Sequence, residues 1–238
     1  MLRQSLKLSD ASVNLSYFSI VTYRVDPESL ARLLPPRFKP VVMDDNGSVR
    51  GLVSAVTFKE RNFSFQWMKP FQWIPFWQTN YRAYVEDVLD GQRKVWFFQT
   101  MLGSVTAFIP KHLWKMPWER SSYHSRVSSS CWDIHGESER DTVSLKISPT
   151  NTPATLSGFS SESEAMEILT NPSAGYFFNR NGKLSSYSIW HEAIGNRSPS
   201  GESPGVRNRL LRRTFQRSLR QRPGCGLAIA FQRWIGST

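Results

Sequence analysis

Residues 13–25, VNLSYFSIVTYRV, hold β-branched and aromatic side chains in near continuity, the composition of a strand with a buried face. In DTVSLKIS, Val143, Leu145 and Ile147 alternate with polar residues, which predicts a strand with one wet side. KVWFFQTML is apolar at both parities, which predicts a strand covered on both faces. VRGLVSAVTF, YRAYVEDVL and KLSSYSIW read as further strands. Three dipeptides, Asn46-Gly47, Asp90-Gly91 and Asn181-Gly182, fall between such segments and predict two-residue hairpin turns.

Helical periodicity is scarce. In DPESLARLLPPRF, Asp26 is an N-cap, Pro27 suits the first helical position, and Leu30, Leu33 and Leu34 form one apolar face that Pro35 and Pro36 bring to an end. In SSESEAMEILTN, Ser161 stands three residues before Glu164 as a capping box, and Asn171-Pro172 marks the stop. These patterns predict a mainly antiparallel β protein with two to four short helices. So many strands favour a curled or closed sheet, because closure removes exposed edges.

Composition changes the picture in two places. Residues 63–77, FSFQWMKPFQWIPFW, hold seven Phe or Trp and two Pro, and predict an aromatic loop packed over the end of the sheet, with a lid over an apolar cavity or a membrane contact as the alternatives. The net charge of +11 is local: from residue 195 onward nine Arg face one acid, Glu202, which leaves 21 basic against 18 acidic residues in the first 194. A nucleic-acid signature spread over the domain is thereby excluded. The chain divides into a body, 1–194, and a basic tail, 195–238, expected to be poorly ordered and without a specific nucleic-acid partner; nucleic-acid or anionic-membrane binding through that tail is a competing function. Two cysteines, Cys131 and Cys225, cannot form a disulfide framework, and no apolar run reaches the length of a membrane-spanning helix, so the expected compartment is the cytoplasm.

The order of segments resembles a known family. YFSIVTYRVDPESLARLLPPRFKP resembles the opening strand and helix of the acetoacetate decarboxylase-like superfamily. NYRAYVED, the hairpin into KVWFFQTML, and LWKMPW are similar to the YqjF-like family of unknown function within it, and LTNPSAGYFFNRNGKLSSYSIWHE fits its later part; together the likeness covers residues 13–194. The resemblance implies a mainly antiparallel, cone- or barrel-like sheet around a largely apolar cavity. It also places Lys111, in Ile109-Pro110-Lys111-His112, where the decarboxylases carry a Schiff-base lysine, with His112 in place of their second lysine. Their glutamate in the segment of the aromatic loop has no assigned match. Where the YqjF-like pattern tends to hold a glutamate four residues before the R-x-Y-V arginine, here Arg82, this chain has Gln78.

Lys111 has two readings. An amine in an apolar pocket, its pKa lowered from ~10.4 by desolvation, attacks carbonyls; His112 supplies little of the electrostatic push that a second cation would. If 109–118 is helical, however, Lys111 and Lys115 share a face with Trp114 and Trp118 and lie on the surface, which is the favoured reading. In YRAYVED, Arg82, Tyr84 and Glu86 point one way and Tyr81, Ala83 and Val85 the other; Arg82 either holds a ligand carboxylate or pairs with Glu86 at the surface. Through the resemblance Gln78, Tyr84 and His112 join Arg82 as candidate ligand-binding residues, and His191-Glu192 echoes a His-Glu pair near the end of the decarboxylases. Cys131 and His135 lack the third and fourth ligands of a zinc site, and no hydrolase or nucleotide-binding motif occurs, so neither metal nor cofactor is expected. The expected function is binding of a small organic molecule, an acid or carbonyl compound, in an apolar cavity, with Lys111-dependent decarboxylase-type chemistry as the rival.

Overall fold

The computed structural model describes residues 11–65, 75–103, 118–128, 130–150, 158–188, 200–202, 207–208 and 228–235. In chain order the elements are β1 (Ala11–Val25), α1 (Pro27–Ala31), β2 (Phe38–Pro40), β3 (Val42–Asp45), β4 (Ser48–Phe65), β5 (Phe76–Asp87), β6 (Arg93–Leu102), β7 (Trp118–Arg120), β8 (Ser122–Val127), β9 (Trp132–Glu137), β10 (Thr142–Thr150), α2 (Glu162–Thr170), β11 (Ala174–Phe178), β12 (Leu184–Ser188), β13 (Ser200–Glu202), β14 (Arg207–Asn208) and β15 (Ala228–Ile235).

The fold is mainly β, as the patterns predict. One hydrogen-bonded path runs β12-β11-β6-β5-β4-β1-β15-β13-β10-β9-β8, and among the described residues it does not close into a barrel. Pairing is antiparallel except along β6, where β7 and β11 run parallel. Both return to β6 through connections long enough for a crossover. Beyond residue 195, β13 pairs with β10 and β15 pairs with β1.

Local chemistry explains most element ends. Asp26 Oδ2 accepts from the Ser29 amide at 2.8 Å, the expected N-cap. Yet α1 stops at Ala31, ahead of Pro35, so Leu30 and Leu34 are buried while Leu33 is 36% exposed. Asn46 and Gly47, with φ of 52° and 80°, form the two-residue turn between β3 and β4. The other two glycine turns are longer. Around Gly91 the Asp87 carboxylate accepts from the Leu89 amide, and around Gly182 Asn179 Oδ1 accepts from the amides of Asn181 and Lys183. A side-chain acceptor spreads each loop over more residues. At α2, Ser161 Oγ accepts from the Glu164 amide, but Glu164 reaches back to the amide of Ser160, one residue earlier than a capping box requires.

The central sheet is apolar on both sides. One face joins Phe18 and Ile20 of β1, Leu52, Val56 and Phe58 of β4, Tyr84 of β5, Val95 and Phe97 of β6, and Phe177 of the neighbouring β11; Ile168 and Leu169 of α2 pack against it. The opposite face packs Val53, Ala55, Tyr81, Ala83, Trp96 and Met101 against Leu30 and Leu34. Both faces of KVWFFQTML are thus buried, as its sequence predicts. Val143, Leu145 and Ile147 are all buried, and Leu145 and Ile147 join Trp132 and Ile134 of β9 in a third cluster beside Val21 and Trp77.

A bulge in β1 sets what faces the covered side. Ser16 pairs with Lys59 and Ser19 with Thr57, so β1 spends three steps where β4 spends two, and Tyr17 is the extra residue, with φ of 52°. Leu15 therefore lies opposite Glu60, and Phe18 stacks on Phe58 at 5.9 Å. Tyr17 turns the other way, against Trp77 and Trp132, with ring centroids 5.8 and 5.1 Å away.

Candidate functional site

The face of β4–β6 covered by α2 is mostly aliphatic and aromatic, and a line of polar side chains runs through it. Alternation along β4 puts Ser54 and Glu60 on the same face as Leu52, Val56 and Phe58. Alternation along β5 adds Gln78, Asn80, Arg82 and Tyr84. Register brings these together: Ser54 lies opposite Arg82, Phe58 opposite Gln78, Glu60 opposite Phe76, and Asn80 opposite Thr100 of β6. All are nearly buried; Glu60, Gln78, Asn80 and Arg82 are 7, 8, 7 and 6% exposed. From Ser54 to Glu60 the line spans about 20 Å of extended strand.

Its bonds divide it into two parts. At the α2 end, Arg82 Nη2 donates to the Leu169 carbonyl at 2.6 Å and to the Tyr84 hydroxyl at 3.3 Å, while the Tyr84 hydroxyl contacts Ser54 Oγ, which in turn contacts Thr22 Oγ1. The guanidinium carbon sits 5.3 Å from the centroid of the Tyr84 ring. Arg82 shares a face with Tyr84, as alternation predicts, and it is buried; among the described residues its partners are Leu169 and Tyr84 rather than Glu86. Its Nε is buried and has no hydrogen-bond acceptor among the described residues. In the middle of the line, Gln78 Nε2 donates to Asn80 Oδ1 at 2.8 Å, and Thr100 Oγ1 donates to the same oxygen at 2.9 Å. With its oxygen doubly engaged, Asn80 has amide N–H groups that meet no acceptor among the described residues.

Glu60 stands apart. Its Oε2 is buried without a hydrogen-bond partner among the described residues, and burial pushes its carboxyl up to about 8 from an ordinary value near 4.5. Its register neighbours on the shared face, Leu15 and Phe76, are apolar. Lys59, the residue before it, belongs to the opposite face and lies over the Trp77 ring at 5.9 Å.

A pocket of about 40 Å³ opens beside Tyr84, between Lys94 of β6 and Glu167, Ile168 and Asn171 at the end of α2. It has room for a few waters, less than a ligand-sized cavity needs. Lys94 Nζ in that corner bonds Ser173 Oγ at 3.0 Å and pairs with Asp90 at 3.3 Å.

Of the residues singled out from sequence, the fold brings Gln78, Arg82 and Tyr84 onto one face. Lys111, His112, His191 and Glu192 lie outside the described residues. Cys131 is in the turn before β9, and His135, on the exposed face of that strand, has His124 as its cross-strand neighbour. Among the described residues, no group of three or more His, Cys, Asp or Glu side chains is placed to hold a metal ion. Sequence reasoning missed Glu60, Asn80 and Thr100. Glu60 sits in FKERN, which reads as an ordinary charged strand end; counting alternation forward from Phe58 would have put it on the covered face.

The fold has known counterparts. Acetoacetate decarboxylase from Legionella pneumophila superposes with a TM-score of 0.62 at 10% identity, over 94% of this chain and 82% of that chain. An acetoacetate decarboxylase-like enzyme from Sphingomonas wittichii gives 0.61 at 11%, over 97% and 92%. The enduracididine biosynthesis enzyme MppR, complexed with pyruvate, gives 0.53 at 14%, over 94% and 86%. At these identities the likeness is one of fold. No curated protein matches the chain in sequence. A family model described as DUF2071, "Uncharacterized conserved protein (COG2071)", matches residues 13–207.

Proposed function

The chain belongs to the DUF2071 family of uncharacterized conserved proteins and has the acetoacetate decarboxylase-like fold, and from that premise we propose that it binds a small organic acid or carbonyl compound against the covered face of β4–β6. The observation that carries this reading is the group formed by Gln78, Asn80 and Thr100: three buried polar side chains bonded to one another on an otherwise apolar face. Buried polar groups cost free energy unless they are satisfied. A wall that needed only to pack would carry aliphatic residues there. Gln78 and Asn80 keep amide donors for an acceptor oxygen, which a carboxylate or a carbonyl presents and an amine does not.

The fold supports the choice of ligand class. MppR, which shares it, has been seen with pyruvate and with the condensation product of pyruvate and imidazole 4-carboxaldehyde. Arg82 contributes to the wall mainly by holding α2 over it, since its Nη2 is engaged with Leu169.

Calorimetric titration of the full chain with pyruvate, acetoacetate and small aldehydes, beside matched amines, tests the proposal. Binding of the oxygen compounds, weakened about tenfold by Asn80→Leu, corresponding to a loss of ~1.4 kcal/mol, is the expected result. Equal binding of amines and acids, or binding indifferent to Asn80→Leu, would remove its basis. Borohydride treatment of the same mixtures tests Lys111 separately: an adduct absent from Lys111→Ala would make the ligand a carbonyl compound held as an imine.

A further inference from the structure

We infer that Glu60 is the uncharged hydrogen-bond donor of this site and selects for ligands that present an acceptor oxygen at that end of the wall. The inference rests on the ligand-binding reading above and assigns a specificity-determining residue to it.

Three features of the geometry converge. Glu60 shares the covered face of β4 with Phe58, and register sets it between Leu15 and Phe76, so its cross-strand neighbours among the described residues are hydrocarbon. One carboxyl oxygen is buried and has no partner among the described residues. Glu60 is also the diagonal neighbour of Gln78, because Phe58 is the residue directly opposite Gln78; diagonal pairs on one face lie within about 7–8 Å. The carboxyl thus continues the amide line of Gln78 and Asn80 toward the end of the sheet.

Charged groups that would keep it ionised are missing from its described surroundings. β1 presents Leu15 and Ser16, and the Ser16 hydroxyl donates to the Lys59 carbonyl. β5 presents Phe76 and Gln78. Lys59 belongs to the other face. Arg82 lies six cross-strand pairs further along and is bonded to Leu169. A carboxyl in such surroundings retains its proton. As an acid O–H it donates to a carboxylate or carbonyl oxygen without the repulsion that an anion would meet from a glutamate.

Infrared spectroscopy of the full chain tests this directly, with pyruvate as the probe. The carbonyl band of a protonated carboxyl is expected at pH 7, titrating away with a midpoint of about 8, absent from Glu60→Gln, and shifted when pyruvate is added. Absence of the band at pH 7, or its persistence in Glu60→Gln, overturns the inference whatever pyruvate does. If pyruvate binds the wild type and Glu60→Met equally well, with the band unmoved, the donor role falls and the binding reading stands. If no oxygen compound binds in calorimetry, both fall. Glu60→Met fills the apolar surroundings without a donor and guards against a variant that fails to fold.

Discussion

Arg82 and the Leu169 carbonyl are 87 positions apart in the chain and 2.6 Å apart in the fold. The bond fastens the last turn of α2 to the middle of β5. A helix leaves its final carbonyls without intrahelical partners, and a cation there is favourably placed against the helix dipole. The two residues stand in separate stretches of the chain, and the pair exists because the sheet and helix meet where they do.

Replacing Arg82 with Met keeps the aliphatic stem and deletes the donor. The expected loss is about 1.5–3 kcal/mol, the range for a hydrogen bond made by a charged group. A lower urea midpoint measures it, and α2 amides should lose exchange protection more than those of β9 and β10. Arg82→Lys should recover only part, because an ammonium lacks the planar fork. A midpoint equal to wild type would show that the contact does not hold the helix.

Glu60 makes stability depend on pH in a definite direction. Its folded-state carboxyl is pushed to about 8 from 4.5, so the native chain holds the proton more tightly than the unfolded chain. Stability should therefore fall as pH rises from about 4.5, with the loss complete above about 8. Glu60→Gln has no charge to bury, so its denaturant midpoint should vary less over that window and exceed the wild-type value at pH 9. Parallel curves for the two proteins would contradict this.

Asp87 acts in the opposite sense. The Arg37 guanidinium donates to both of its oxygens, at 2.9 and 2.5 Å, and the Leu89 amide adds a third bond, so the carboxyl is held below its ordinary value of 3.8. The unfolded chain then binds this proton more readily, and the stabilisation is present above pH 3.8 and lost as pH falls through the lower folded-state value. Asp87→Asn should lower stability at neutral pH and reduce the acid-induced loss, as read from thermal midpoints at a series of acid pH values.

Tyr17 offers a reversal of the usual order of small residues. In a strand, Gly is normally the weaker choice by roughly 0.5–1 kcal/mol relative to Ala. At φ of 52° the ranking should invert: Tyr17→Gly and Tyr17→Ala both lose the stacking on Trp77 and Trp132, but only Ala keeps the left-handed strain. Tyr17→Gly should be the more stable of the two by about 1 kcal/mol. If Ala is the more stable, the bulge does not impose that conformation in solution.

Elements governed by near neighbours were readable in the chain. The Asp26 cap, the Asn46-Gly47 turn, the alternation of Val143, Leu145 and Ile147, and the doubly buried β6 each arise from a few adjacent residues. The likeness of YFSIVTYRVDPESLARLLPP and NYRAYVED to a known family was also readable, and the match over residues 13–207 agrees with it. The early end of α1 was not, because Leu33 completes an apolar helical face in sequence but has no core to meet in space.

The candidate site divides along the same line. Local pattern alone placed Arg82 and Tyr84 on one side of β5, since side chains alternate in any strand. What they touch is a matter of register and docking: the Tyr17 bulge sets Leu15 across from Glu60, β6 brings Thr100 to Asn80, and α2 carries the Leu169 carbonyl to Arg82. These partners come from strands and a helix distant in sequence, so no short stretch of residues encodes them. A carboxyl in FKERN looks solvated until the sheet buries it, and only then does it become a proton-bearing group.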